Sequence, residues 1–207
     1  MEKIINVNLK ANENIIIAKK EKLVALELRK LAKNLLKKVK TREVFVKKET
    51  KLAQIRKNLV ENNKRVLENK IKSKEILKFP EEDIKNEKAF INYHENAAEN
   101  QLELAKYHKE IAKLEEKLAK SKIELANSKM VAANIRISLG KLQLKYLNAV
   151  QKKLPEKAMT IKASYKRKRE DLNSHLKELK DIEDEIKLYQ NDITNLTSKF
   201  SNLEKMN

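Results

Sequence analysis

A single glycine in 207 residues, Gly140, is the feature that most narrows what this chain can fold into. Tight hairpins, bulges and phosphate-cradling loops call on φ > 0, which glycine reaches at the least steric cost. A chain with one glycine is therefore not built from β-hairpins, and it has no Gly-x-Gly-x-x-Gly or Walker loop. It has no cysteine either, so a disulfide framework and a thiolate zinc site are both ruled out. What remains is helix, and the punctuation agrees. Pro80 and Pro155 are the only prolines, and acids follow each of them: Glu81, Glu82 and Asp83 after the first, Glu156 after the second. Proline with carboxylates in the first turn is a helix-start signature, because the missing N–H is one the helix leaves unpaired anyway. The chain thus reads as a basic helix over 14–79, a second over 80–154 and a third over 155–207. Residues 1–13 form an ambiguous lead segment in which Ile5, Val7 and Leu9 alternate.

The middle segment carries two apolar faces. Steps of three and four from Phe90 to Ala149 give 18 positions, of which 15 are apolar or Tyr, against 41% apolar in the whole chain. Such a sustained heptad pattern is the condition for coiled-coil packing. A second stripe recurs every seven residues at Ala98, Ala105, Ala112, Ala119, Ala126, Ala133 and Gly140. From Ala119 onward its intervening positions are apolar too. A helix apolar on two faces packs against two neighbours. The small residues Ala119, Ala126, Ala133 and Gly140 mark where a neighbour approaches closely. The third segment keeps 3/4 spacing from Ala158 to Leu203, interrupted by Lys168 and His175. The first is less regular, with one stripe at Val24, Leu28, Leu31, Leu35 and Val39 and another at Leu52, Ile55, Leu59 and Val66. The two are out of phase, which predicts a stutter between about 39 and 52.

Folding the segments back at the prolines sets a register. A hairpin at Pro80 brings Asn62 opposite Asn100, a polar layer of the kind that fixes register at a cost in stability. A hairpin at Pro155 lays the third helix over residues 119–150 of the second, where the second apolar face develops. Beyond about residue 191 the third helix stays apolar at Ile193, Leu196, Phe200 and Leu203, opposite Lys109 and Glu116. Those four residues are therefore the expected self-association surface. The fold class expected is all-α, an elongated three-helix antiparallel coiled coil.

The chemistry of catalysis is thin. His94, His108 and His175 stand in neither His-Glu-x-x-His nor Glu-x-x-His spacing. No catalytic, cofactor-binding or metal-ligating residues are assigned, no cofactor is expected, and the chain reads as a non-enzyme. His175 on the third seam could act as a pH switch, but a half-exposed packing residue is the simpler reading. The run Lys166-Arg167-Lys168-Arg169 reads first as a solvated stretch and second as a nuclear address.

Charge carries the functional argument. The formal net charge is +18, with lysine far outnumbering arginine. A compositional bias toward Lys, Asn and Ile acts evenly along a chain, yet 23 basic and 9 acidic residues fall before residue 79, while the two later segments are nearly balanced. From Lys19 to Lys40 the basic residues Lys19, Lys20, Lys22, Arg29, Lys30, Lys33, Lys37, Lys38 and Lys40 face only Glu21 and Glu27 in sequence. With its apolar stripe this is a basic amphipathic helix. Its expected partner is an anionic membrane surface, where each Lys or Arg contributes about 1 kcal/mol. A purely structural coiled coil docking on another protein is one alternative. The other is sequence-nonspecific nucleic-acid binding through phosphates, disfavoured by 4% aromatics and no Trp. The architecture resembles that of crescent-shaped BAR domains and of phage-shock/ESCRT-III-like membrane remodellers, whose long antiparallel helices dimerise or polymerise. That resemblance implies a self-associating, surface-binding scaffold. The opening residues, Met1 to Asn6, hold no apolar core of signal-peptide length. The expected location is cytoplasmic, with a peripheral place on a membrane, and the expected assembly is a homo-oligomer.

Overall fold

The computed structural model describes the backbone of residues 2–77 and 80–206 and the side chains of 8–73 and 80–201. The described residues are all-α, in three helices: α1 (Glu2–Leu77), α2 (Glu81–Gln151) and α3 (Pro155–Met206). The ambiguous lead segment, from Glu2 onward, belongs to α1. Pro155 opens α3, whereas Pro80 stands just before α2, its carbonyl accepting from the Asp83 N–H at 3.2 Å. The compact units cut across the helices: residues 1–36 with 115–192 form one, and residues 37–114 with 193–207 form the other.

In the first unit α1 meets α2 through small residues. Ala11, Ala18, Ala25 and Ala32 lie seven residues apart and have no exposed surface. A Cβ added to Gly140 would lie 3.0 Å from the Ala11 carbonyl oxygen and 3.2 Å from Ile15. Counting in sevens from that contact, antiparallel, brings Ala18, Ala25 and Ala32 level with Ala133, Ala126 and Ala119, all three fully buried. Side chains flanking the ladder tie it: Arg136 Nε donates to Glu21 at 3.0 Å, Arg29 to Asn127 at 2.7 Å, and Asn14 to Gln143 at 3.1 Å. α3 covers a different face of α2. Ser121 Oγ donates to Glu185 at 3.1 Å, Lys129 to Glu183 at 2.8 Å, and Ser128 Oγ lies 2.9 Å from His175 Nε2. Leu172, Leu179 and Ile186 bury the apolar side of α3.

The two faces of α2 are thus assigned the other way round from the sequence expectation: the small-residue stripe receives α1, and the Leu118–Leu139 face receives α3. Size decides it. A stripe of Ala and Gly admits a helix whose own facing residues are Ala, and α1 offers four of them.

In the second unit Val39, Ala53, Val60 and Leu67 continue buried positions at multiples of seven. Val60, Leu67 and Ile91 form one cluster, with Ile84 packed against it. Lys64 pairs with Glu95 at 2.9 Å, and Lys70 with Glu87. The buried step does not slip between 39 and 53, so the expected stutter is absent. Both α1 stripes proposed from large residues are largely outside: Val24, Leu31, Leu52, Ile55, Leu59 and Val66 are 40–54% exposed. Asn62 and Asn100 are exposed as well, so they form no buried layer. In the first unit the close approach fills the α1–α2 contact with small residues and turns the large ones outward; in the second the buried seam runs through Val39, Ala53, Val60 and Leu67, and the expected stripe lies beside it.

The turn from α2 to α3, in the first unit, is made without glycine. Lys153 adopts φ 54°, its N–H bonding the Val150 carbonyl at 3.1 Å, while the Leu154 N–H reaches Ala149 at 2.9 Å. This is the paired arrangement that closes a helix C-terminus through a left-handed residue.

Candidate surface-binding face

α1 carries the basic residues singled out from sequence. In the first unit Lys19, Lys20, Lys30 and Lys33 are exposed, Lys22 is half-buried, and Arg29 is exposed with one amine committed to Asn127. In the second unit Lys37, Lys38 and Lys40 are exposed. Among the described residues no ion pair joins the lysines of either group to a carboxylate. Of the two acids in this stretch, Glu21 is held by Arg136. The first unit also turns large apolar side chains outward on α1: Leu9, Ile16, Leu23, Val24, Leu26 and Leu31 are 42–63% exposed. Lysines whose hydrocarbon stems lie beside such residues keep their ammonium groups in water. What this face can do chemically is attract anionic groups and present apolar side chains among them.

The surface expected for self-association is occupied within the chain. Ile193, Leu196 and Phe200 are half-buried in the second unit, and the Phe200 ring lies 6.2 Å from Tyr107 and 5.1 Å from His108. α3 meets α2 on its Tyr107 face here, not on the face bearing Lys109 and Glu116, so its apolar side finds a partner. Leu203 lies outside the described side chains.

Two arrangements invisible in sequence come together around histidines. His108 Nδ1 accepts from the Arg42 guanidinium across 2.9 Å, and the ring takes Phe45 edge-on at 4.7 Å. His175 has Ser128 Oγ at one ring nitrogen and Glu178 at the other, 3.1 Å away. Ser128, His175 and Glu178 follow the order of a nucleophile, base and orienting acid. Ser128 is 8% exposed inside α2, where the neighbouring amides are engaged in helix bonds. The arrangement therefore offers no pair of free N–H groups for an oxyanion and no seat for a substrate carbonyl. Glu185 accepts from Ser121 and, at 2.8 Å, from the Tyr189 hydroxyl; that hydrogen bond, with burial, holds the phenol above its ordinary value of 10.0. Lys166 through Arg169 are all exposed. Among the described residues no group of three or more His, Cys, Asp or Glu could hold a metal ion, and no helix is long and apolar enough to cross a membrane.

The fold defines the chain as an all-α three-helix bundle. No protein-family model, curated protein or solved structure matches it.

Proposed function

We infer that the chain is a non-enzymatic helical scaffold that binds an anionic membrane surface through the outer face of α1. The observation that carries this reading is the inversion of α1: alanines inside, lysines and large apolar residues outside. A helix that only closed a bundle would bury its Leu and Ile and leave alanine to the surface. Basic residues beside exposed apolar ones are the composition of an interfacial helix, whose binding adds electrostatic attraction to apolar burial. Among the described residues no ion pair engages the lysines between Lys19 and Lys40, so their charge is available to a partner.

The test is co-sedimentation with vesicles of phosphatidylserine in phosphatidylcholine, with neutral vesicles and with duplex DNA, each at low and moderate salt. Binding to the anionic vesicles and not to the neutral ones is expected. Preference for DNA would replace this reading with the phosphate-binding one. Binding to none would leave a structural scaffold that docks on protein.

A further inference from the structure

In the first unit all three helices line one cleft of about 260 Å³. Lys10 comes from α1, Leu142, Gln143 and Tyr146 from α2, and Lys162 and Tyr165 from α3. Its walls are mostly hydrocarbon: the leucine, two phenol rings and the stems of two lysines. Its polar groups are of one kind. Gln143 is 9% exposed and its carboxamide is spent inside the chain, the oxygen accepting from Asn14 at 3.1 Å and the nitrogen donating to the Tyr165 hydroxyl at 3.4 Å. The Tyr165 oxygen is an acceptor there, which leaves its proton to donate. The two ammonium groups and the Tyr146 hydroxyl have no hydrogen bond or ion pair among the described residues. The cleft therefore presents two positive charges, two hydroxyl donors and no carboxylate.

The surroundings reinforce that sign. From Lys141 to Arg169 ten basic residues stand against one acid, Glu156. All ten are exposed, and none forms an ion pair among the described residues. The excess straddles Pro155, so counting charge by the segments on either side of that proline divides it between two sums and conceals it. A low-dielectric cleft within such a run raises the local concentration of anions. We propose that the cleft binds one phosphomonoester carrying an apolar group. An apolar pocket with a few well-placed polar groups is the ordinary form of a small-molecule site. The head is read from the donors. Two ammonium point charges match a phosphate dianion, and the hydroxyls supply hydrogen bonds to its remaining oxygens; a planar carboxylate is better met by the fork of an arginine, which the cleft lacks. The tail is read from the walls, where Leu142 and the rings of Tyr146 and Tyr165 cover the carbons next to the phosphate. An alkyl phosphate free in water and a membrane lipid ending in a phosphomonoester share this chemistry. No residue between Lys19 and Lys40 lines the cleft, so the proposal goes beyond the surface-binding reading and does not depend on it.

Tyrosine emission reads the test directly, since the chain has five tyrosines and no tryptophan, and Tyr146 and Tyr165 line the cleft. Hexyl phosphate is titrated below its micelle concentration, with inorganic phosphate and hexanol as its separated halves, and calorimetry gives the stoichiometry. Saturable binding of one hexyl phosphate per chain is expected, tighter than either half by roughly tenfold or more. Lys10→Gln and Lys162→Gln should each weaken it roughly tenfold or more, the size of one charge-assisted hydrogen bond, and Tyr165→Phe severalfold. Both lysines are exposed, so helicity and melting temperature should stay as they are. Lys19→Gln and Lys33→Gln should leave the affinity unchanged. To find the source, vesicles containing phosphatidic acid are set against phosphatidylserine vesicles of equal surface charge. A preference for phosphatidic acid that Lys162→Gln removes gives a membrane lipid; its absence beside intact hexyl phosphate binding gives a free amphiphile. No saturable binding of hexyl phosphate overturns the proposal, and so does binding that Lys19→Gln weakens as much as Lys10→Gln, which is diffuse attraction to charge. Failure of every vesicle to bind, with hexyl phosphate still held, would sink the surface-binding reading and leave the cleft.

Discussion

Replacing an alanine by leucine and a leucine by alanine within one turn of α1 should have effects opposite to the usual order. Ala25 has no exposed surface and stands level with Ala126, which has none either. An Ala25→Leu side chain brings three further carbons into a ladder that, two steps along, holds a backbone oxygen 3.0 Å from a would-be Cβ. Overpacking of this kind costs about 1–3 kcal/mol, and the change in helix propensity is at most a few tenths. Leu23, two residues earlier, is 63% exposed. Full burial of a leucine contributes roughly 1.5–3 kcal/mol, so losing its covered third costs about 0.5–1 kcal/mol, offset slightly by alanine's better helix propensity. For a chain of this size 1 kcal/mol moves the melting temperature by roughly 2–4 °C. Thermal melts followed by circular dichroism at low protein concentration should therefore show Ala25→Leu lowered by several degrees and Leu23→Ala by about 2 °C or less. If Leu23→Ala proves the more damaging of the two, the alanine-inside reading of α1 is wrong.

Other perturbations test separate parts of the argument. Lys153→Gly should raise stability by about 1 kcal/mol, read as a higher melting temperature, because a left-handed residue with a Cβ costs roughly 1–2 kcal/mol before glycine's own entropy is counted. Arg136→Ala strands Glu21, whose partner it is at 3.0 Å with both side chains 17% exposed; a loss of about 1–3 kcal/mol is expected in denaturant titration, and an unchanged midpoint would mean the pair is idle. Exchanging Lys19, Lys20, Lys30, Lys33 and Lys37 for Gln removes on the order of 5 kcal/mol of attraction to an anionic bilayer, enough to abolish vesicle binding while the helical signal is kept. Retained binding by that variant would move the site elsewhere.

The parts of the fold that were legible in sequence are those where size and burial run together. α3 buries Leu172, Leu179 and Ile186, and α2 buries Ile111, Leu118, Leu125 and Leu139, all on the 3/4 pattern. α1 defeated the same reasoning because, in the first unit, its buried residues are alanines, which any helix tolerates and which carry a weak apolar signal. Their seven-residue spacing at Ala11, Ala18, Ala25 and Ala32 was nonetheless present, and matching it to the spacing of Ala119 to Gly140 would have identified the contact and corrected the Asn62–Asn100 register. The end of α3 was misjudged for a related reason: assigning the wrong face of α2 to α3 left Phe200 without Tyr107. Of the basic face, sequence could supply the lysines and their imbalance with acids. It could not supply the outward turn of Leu23 and Val24, which follows from how closely α1 approaches α2.

The antiparallel ladder also dictates an order of events as the chain folds. Near the turn at Pro80 the first helix meets the second over short loops: Lys70 and Glu87 are 17 residues apart, Lys64 and Glu95 are 31. In the other unit Asn14 waits for Gln143, 129 residues later. Closing a short loop costs less entropy, and each pair formed shortens the loop for the next. Zippering from the Pro80 end is the expected route, with protection in pulsed hydrogen exchange arriving at Val60 and Ile91 before Ala18 and Ala133; the reverse order would contradict it. During synthesis, therefore, the N-terminal stretch of the first helix emerges long before its alanines have anything to close against, with its leucines and lysines already facing out.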